Sequence, residues 1–276
     1  MRIDAHQHFW IYNEKEYAWI TDDLRKIRRN YEPDDLFKEL KANQFDGSIA
    51  VQARQNLEET EWLLKLAEEN EFIKGVVGWV DLRSNQLESQ LERFCKRKKF
   101  VGVRHVVQDE PDNQFVVGED FLDGISLLSK YNLTYDILVF AHQLPYSTKM
   151  VEKFPDQKFV LDHIAKPKIK DQELDSWERE METVATYPNV YCKLSGMLTE
   201  ADWKDWKEED FKPYLDVVFG CFGTKRVMFG SDWPVSQLAG SYKDTVSLVE
   251  SYIESYSEED RNSIMGNNAL NFYLDL

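Results

Sequence analysis

The chain reads as an α/β protein folded into a (β/α)8 TIM barrel, and three observations predict it. Eight short β-rich segments alternate with helical patterns along 276 residues. Strand–helix alternation of this kind indicates a parallel sheet. The length suits one closed barrel of about 250 residues. No Pro/Gly-rich linker or low-complexity tract interrupts the chain, so residues 1–276 are expected to form a single domain.

The strands are expected at 2–8, 47–52, 74–80, 100–106, 133–140, 158–163, 190–194 and 226–230. Each is short, apolar and β-branched, as barrel strands covered on both faces should be. Helical spacing marks the segments between them. Leu36, Phe37 and Leu40 follow Pro33. Trp62, Leu63, Leu66 and Ala67 share a face, as do Leu87, Leu91, Phe94 and Cys95. Phe121, Ile125 and Leu128 continue the series, and stretches 176–186, 211–222 and 242–256 complete it. Residues 11–31 form a long first βα connection rich in aromatic and charged residues, and long βα loops on barrels usually shape the pocket.

Bulk properties narrow the function. Thirty-four Lys and Arg face 50 Asp and Glu, a formal charge of −16. Such a surface repels phosphate backbones and anionic lipid, which argues against nucleic-acid and membrane partners. Cys95, Cys192 and Cys221 are few and unpatterned. Reduced thiols in a cytoplasmic protein are expected rather than a disulfide framework. No basic segment followed by an apolar run opens the chain, and no apolar run nears the ~20 residues of a membrane helix. A homo-oligomer is compatible with all of this.

Barrel enzymes work at the C-terminal ends of their strands. All five histidines are expected there: His6 and His8 on strand 1, His105 on strand 4, His142 beyond strand 5 and His163 on strand 6. Gln52, Arg54, Trp79, Arg104, Lys166, Lys193, Asp232 and Trp233 fall at the same ends, and Trp10 follows the first. His6-Gln7-His8 puts two imidazoles on one face of a strand, suited to a divalent metal or to crowding a carbonyl group with donors. Structural roles compete. Asp232 could cap a helix before Trp233-Pro234, Arg54 and Lys193 could be wall ion pairs, and the tryptophans could be core.

A family resemblance adds to this. Asp4-Ala5-His6-Gln7-His8-Phe9-Trp10, Gly102-Val103-Arg104-His105, Leu161-Asp162-His163-Ile164-Ala165-Lys166-Pro167, Cys192-Lys193-Leu194-Ser195-Gly196 and Phe229-Gly230-Ser231-Asp232-Trp233-Pro234 resemble the sugar-acid lactonases of the amidohydrolase superfamily. These belong to its amidohydrolase-2 group, which includes L-fuconolactonases and L-rhamnonolactonases. The resemblance implies a hydrolase that opens a sugar-acid lactone, a carboxylic ester. Asp232 would act as general base and acid, with His6, His8 and His163 as catalytic partners. Gln52, Arg54, Arg104, His105, Lys166 and Lys193 would bind the ring, stacked by Trp10, Trp79 or Trp233. One divalent metal such as Zn2+ would sit on His6, His8 and Asp232, with His142 as a further ligand. Arg104-His105 stands where the superfamily has a bridging Lys or Glu, which argues against a binuclear site, and metal-free catalysis stays open. The group also includes metal-dependent decarboxylases and hydratases of aromatic or unsaturated acids, the alternative reading.

Overall fold

The computed structural model describes residues 1–275. Eight parallel strands run in sequence order: β1 Ile3–Gln7, β2 Gly47–Val51, β3 Ile73–Gly78, β4 Phe100–Val106, β5 Thr134–Leu138, β6 Phe159–Leu161, β7 Val190–Leu194 and β8 Val227–Phe229. His8 N–H donates to Trp233 O at 2.7 Å and Asp232 N–H to His6 O at 2.8 Å. These bonds bring the end of β8 onto β1, giving the expected TIM barrel.

Around it lie α1 Pro33–Ala42, α2 Leu57–Glu69, α3 Leu87–Phe94, α4 Glu119–Leu128, α5 Leu144–Lys153, α6 Asp175–Ala185, the single turn α7 Met197–Glu200, α8 Glu208–Phe222, α9 Tyr242–Tyr252, α10 Glu258–Asn262 and α11 Asn268–Leu274. The pattern of apolar residues did not announce α5, because it starts at Leu144-Pro145 just past His142. Proline is tolerated in a first helical turn, where its missing N–H costs nothing. No helix among the described residues is long and apolar enough to cross a membrane. The 11–31 loop is tied at its base by paired Trp10 and Tyr31 backbones at 2.9 and 3.0 Å.

The barrel interior has two layers. Below, Ile3, Ala5, Ile49, Val51, Val77, Val160 and Met228 pack with Ala269, Phe272 and Tyr273 of α11, which closes that end. Above, the inward positions turn polar: Asp136 on β5, Lys193 on β7, Arg104 on β4 and His6 on β1 all meet there. Simple alternation would turn His6 away from the interior that holds Ile3 and Ala5. A register shift between Asp4 and Gln7 supplies an extra residue in β1. Such a bulge re-aims the side chains beyond it. Asp4, which alternates with the inward Ile3 and Ala5 before the bulge, points outward to the Ser231 and Tyr242 hydroxyls at 2.6 and 3.0 Å.

Gly230 permits the closure, because a Cβ there would sit 2.7 Å from His6 Cβ and 3.1 Å from Ser195 Cβ. Gly230→Ala should lower unfolding stability by about 1–3 kcal/mol through overpacking, read by urea denaturation. An unchanged midpoint would refute this account of the seam.

Candidate active site

Three of the five histidines meet at the mouth. His6 Nε2 and His8 Nε2 lie 3.1 Å apart. Asp232 Oδ1 lies 3.4 Å from His8 Nε2, 3.8 Å from His6 Nε2 and 4.0 Å from His163 Nε2. All four side chains are almost fully buried. Their placement uses unusual backbone. Asp232 has φ of 54°, and His163, Ile164, Ala165 and Lys166 form a left-handed run with φ of 55°, 48°, 57° and 48°. A β-branched residue such as Ile164 is rare there, and strained segments of this type concentrate at functional sites. Trp177 Nε1–H, donating to Ile164 O at 2.8 Å, pins the run. Gly196, at φ 61°, lets β7 turn beneath His163, since a Cβ would meet His163 Nδ1 at 2.5 Å.

Hydrogen bonding assigns the ring protons. His8 Nδ1 sits 2.8 Å from Val51 O, which only accepts, so the proton is on Nδ1 and the neutral ring turns an Nε2 lone pair to the site. Ser195 Oγ accepts from the His163 N–H at 3.3 Å and faces His163 Nδ1 at 2.9 Å. With the hydroxyl donating to Nδ1, His163 presents Nε2–H toward Asp232. Burial pulls the His163 pKa down to about 4 against the raising influence of Asp232 and Asp162, so this ring is neutral at pH 7. His6 Nδ1 lies 3.3 Å from Asp162 Oδ1 and 3.1 Å from Lys193 Nζ. With its proton on Nδ1 toward Asp162, the ring would turn an Nε2 lone pair beside His8 and Asp232, a nitrogen that Arg104 Nη1 also approaches at 3.3 Å. A carboxylate behind a histidine is the usual support of a metal ligand.

The buried charges below are matched. Arg104 Nη1 meets Asp162 Oδ2 at 3.0 Å, and Lys193 Nζ meets Asp162 Oδ1 at 2.9 Å and Asp136 Oδ2 at 2.5 Å. Tyr273 from α11 donates to the same Asp136 oxygen at 2.8 Å. Burial raises the Asp136 pKa to about 6 against the pull of Lys193. Burial also acts to raise that of Asp162, but Lys193, His6 and Arg104 together hold it well below the ordinary value. Two cations and two carboxylates thus cancel, and none of these cations is left for Asp232. Burial works against its ionisation as well. His163, the His8 contact and His6 outweigh it and keep the carboxyl below the usual range. A buried carboxylate facing imidazole lone pairs calls for a cation. The donor set of His6, His8 and Asp232 fits one divalent ion.

Other expected site residues lie elsewhere. His142 is exposed, bonded to Asn113 at 3.0 Å and stacked on Phe140, so it does not join the metal-ligand cluster. His105 faces outward from β4, because it alternates with the inward Arg104. It pairs with Glu110 at 2.7 Å and stacks on Phe115. Trp10 and Trp233 are core: Trp10 packs on Tyr17 and Tyr31, Trp233 on Phe9 and Tyr31. Trp79 is half-buried, its indole turned to His105. Arg54 is held by Glu16 and Glu59, and Lys193 by its carboxylates. Gln52 takes a 3.0 Å bond from Arg104. Asp162 and Ser195 follow β6 and β7 at the strand ends, where polar site residues are expected, but Asp136 lies within β5 and is not among the expected residues. An acid in the middle of an apolar strand, as in Thr134-Tyr135-Asp136-Ile137-Leu138, was the available signal.

Residues 3–274 match the family model for amidohydrolases. The chain belongs to the amidohydrolase family. This amidohydrolase is 40% identical to an L-fucono-1,5-lactonase of Burkholderia multivorans, over 99% of this chain and 96% of that protein. It is 34% identical to an L-fucono-1,5-lactonase of Burkholderia ambifaria, over 99% and 95%. A crystal structure of a Burkholderia multivorans amidohydrolase with bound zinc superposes with a TM-score of 0.96, at 40% identity and 99% coverage of both chains.

The charge balance is measurable. Lys193→Met should cost about 3–5 kcal/mol by leaving buried carboxylates unpaired. Lys193→Met with Asp136→Asn should cost at least ~1 kcal/mol less than the two single losses combined. Urea denaturation reads the cycle, and strict additivity would refute the pairing.

Proposed function

We propose that this amidohydrolase hydrolyses the ester of a sugar-acid lactone of the L-fucono-1,5-lactone type, giving the open hydroxy acid. The observation that carries the reading is 40% identity over 99% of the chain to a protein named for that activity. The site's chemistry agrees with it. Ring opening needs an activated water, a polarised carbonyl and a proton for the departing alkoxide.

Asp232 takes the proton from water and returns it to the ring oxygen that leaves. Its Oδ1 faces the imidazoles, and its Oδ2 takes no hydrogen bond among the described residues. Held ionised, it is always available as acceptor. Once protonated it returns that proton to the far more basic alkoxide. A divalent cation on His6, His8 and Asp232 would supply Lewis-acid polarisation of the carbonyl and acidify the water. His163 Nε2–H, neutral and fixed by Ser195, donates to the carbonyl oxygen as negative charge grows there. Arg104 stays engaged with Asp162 and Gln52 and keeps its positive charge 3.3 Å from His6 Nε2, beneath the reacting centre.

A pH-indicator assay over five- and six-membered aldonolactones tests the reading, with acid release from one or two stereoisomers expected. Asp232→Asn should lower kcat/KM by roughly 100- to 10,000-fold. A folded wild type silent on the whole panel would overturn the function. Full turnover by the variant would overturn the role of Asp232.

A further inference from the structure

The four cationic side chains at the strand ends differ in what they have left to give. Arg54, Arg104 and Lys193 are each within 3.4 Å of a carboxylate. Lys166 is not. Its Nζ lies 3.8 Å from Glu200 Oε1, beyond hydrogen-bond range, and 5.5 Å from the centre of the Phe140 ring. Neither side chain makes a hydrogen bond among the described residues. Their side chains are 18% and 21% exposed, so both reach solvent from a largely enclosed position.

Both are fastened to the reacting centre. Lys166 ends the left-handed run that begins at His163. Glu200 ends α7, which starts just after Gly196, and Gly196 packs on the His163 ring. An ammonium and a carboxylate held slightly apart have the chemistry to read a hydroxyl, which accepts from one and donates to the other. Burial raises the Glu200 pKa while Lys166 pulls it down, in keeping with a carboxylate short of donors.

We propose that Lys166 and Glu200 form a clamp that takes a ring hydroxyl of a polyhydroxylated lactone between them and so sets substrate preference. The clamp rests on the lactonase reading and specifies the hydroxyl recognition it needs. Phe140, 37% exposed beneath the lysine, offers an apolar face to the C–H side of the same ring.

The test compares an aldono-1,5-lactone with δ-valerolactone, the same ring without hydroxyls, using wild type, Lys166→Met, Glu200→Gln and the double variant. Each single change should lower kcat/KM for the hydroxylated lactone roughly 10- to 100-fold, mainly through KM. The preference for it over δ-valerolactone should fall by a similar factor. The double variant should be little worse than either single one, because both groups serve one hydroxyl. Equal losses on both lactones, or an unchanged KM in both single variants, would overturn the clamp while leaving the lactonase reading intact. A wild type that opens neither lactone would overturn that reading and the clamp with it. Thermal melts of the variants separate loss of recognition from loss of fold.

Discussion

The constraint on which the rest depends is the pairing of charge inside the barrel. Arg104 and Lys193 are sealed from water and so are Asp136 and Asp162, each cation within reach of an acid. Buried ions persist only when matched, since desolvation otherwise costs several kcal/mol each. Once these four cancel, the ionisable groups left facing Asp232 at the mouth are the imidazoles of His6, His8 and His163. The site is thus an anionic, lone-pair-rich mouth set on a neutralised floor. That is where a divalent cation or a developing positive dipole is most strongly favoured.

Backbone geometry converts this balance into a working arrangement. The bulge in β1 brings His6 and His8 inward above Ile3 and Ala5. The left-handed run after β6 turns His163 over Ser195 and carries Lys166 to the rim. Gly196 and Gly230 clear the space that a Cβ would fill. Below, α11 seals the barrel and sends Tyr273 to Asp136, so the end of the chain helps to hold the floor of the site.

Much of this was legible in the sequence. All eight strands lie where alternation put them, and His6, His8, His163 and Asp232 converge as their positions at strand ends implied. Strand-end position alone could not sort the remainder. His105 and Arg104 are adjacent, so only one can face inward, and the register that decides it is set by neighbouring strands. Trp10 and Trp233 went to the core because the 11–31 loop folds Tyr17 and Tyr31 over them. Arg54 and Lys193 became wall partners of acids distant in sequence, Glu16 and Asp136 among them. Tyr273 had no local signal, since its role depends on where the last helix docks.

The most direct test of the account is thermal unfolding of chelated protein with and without added Zn2+, in wild type and in Asp232→Asn. If the carboxylate and its two histidines await a divalent cation, native-state binding adds about 2.7 kcal/mol at a hundredfold excess over Kd, and the wild-type midpoint rises by several degrees. The variant should show a much smaller rise. No shift in wild type, or an equal shift in both, would contradict an uncompensated Asp232 at the centre of this site.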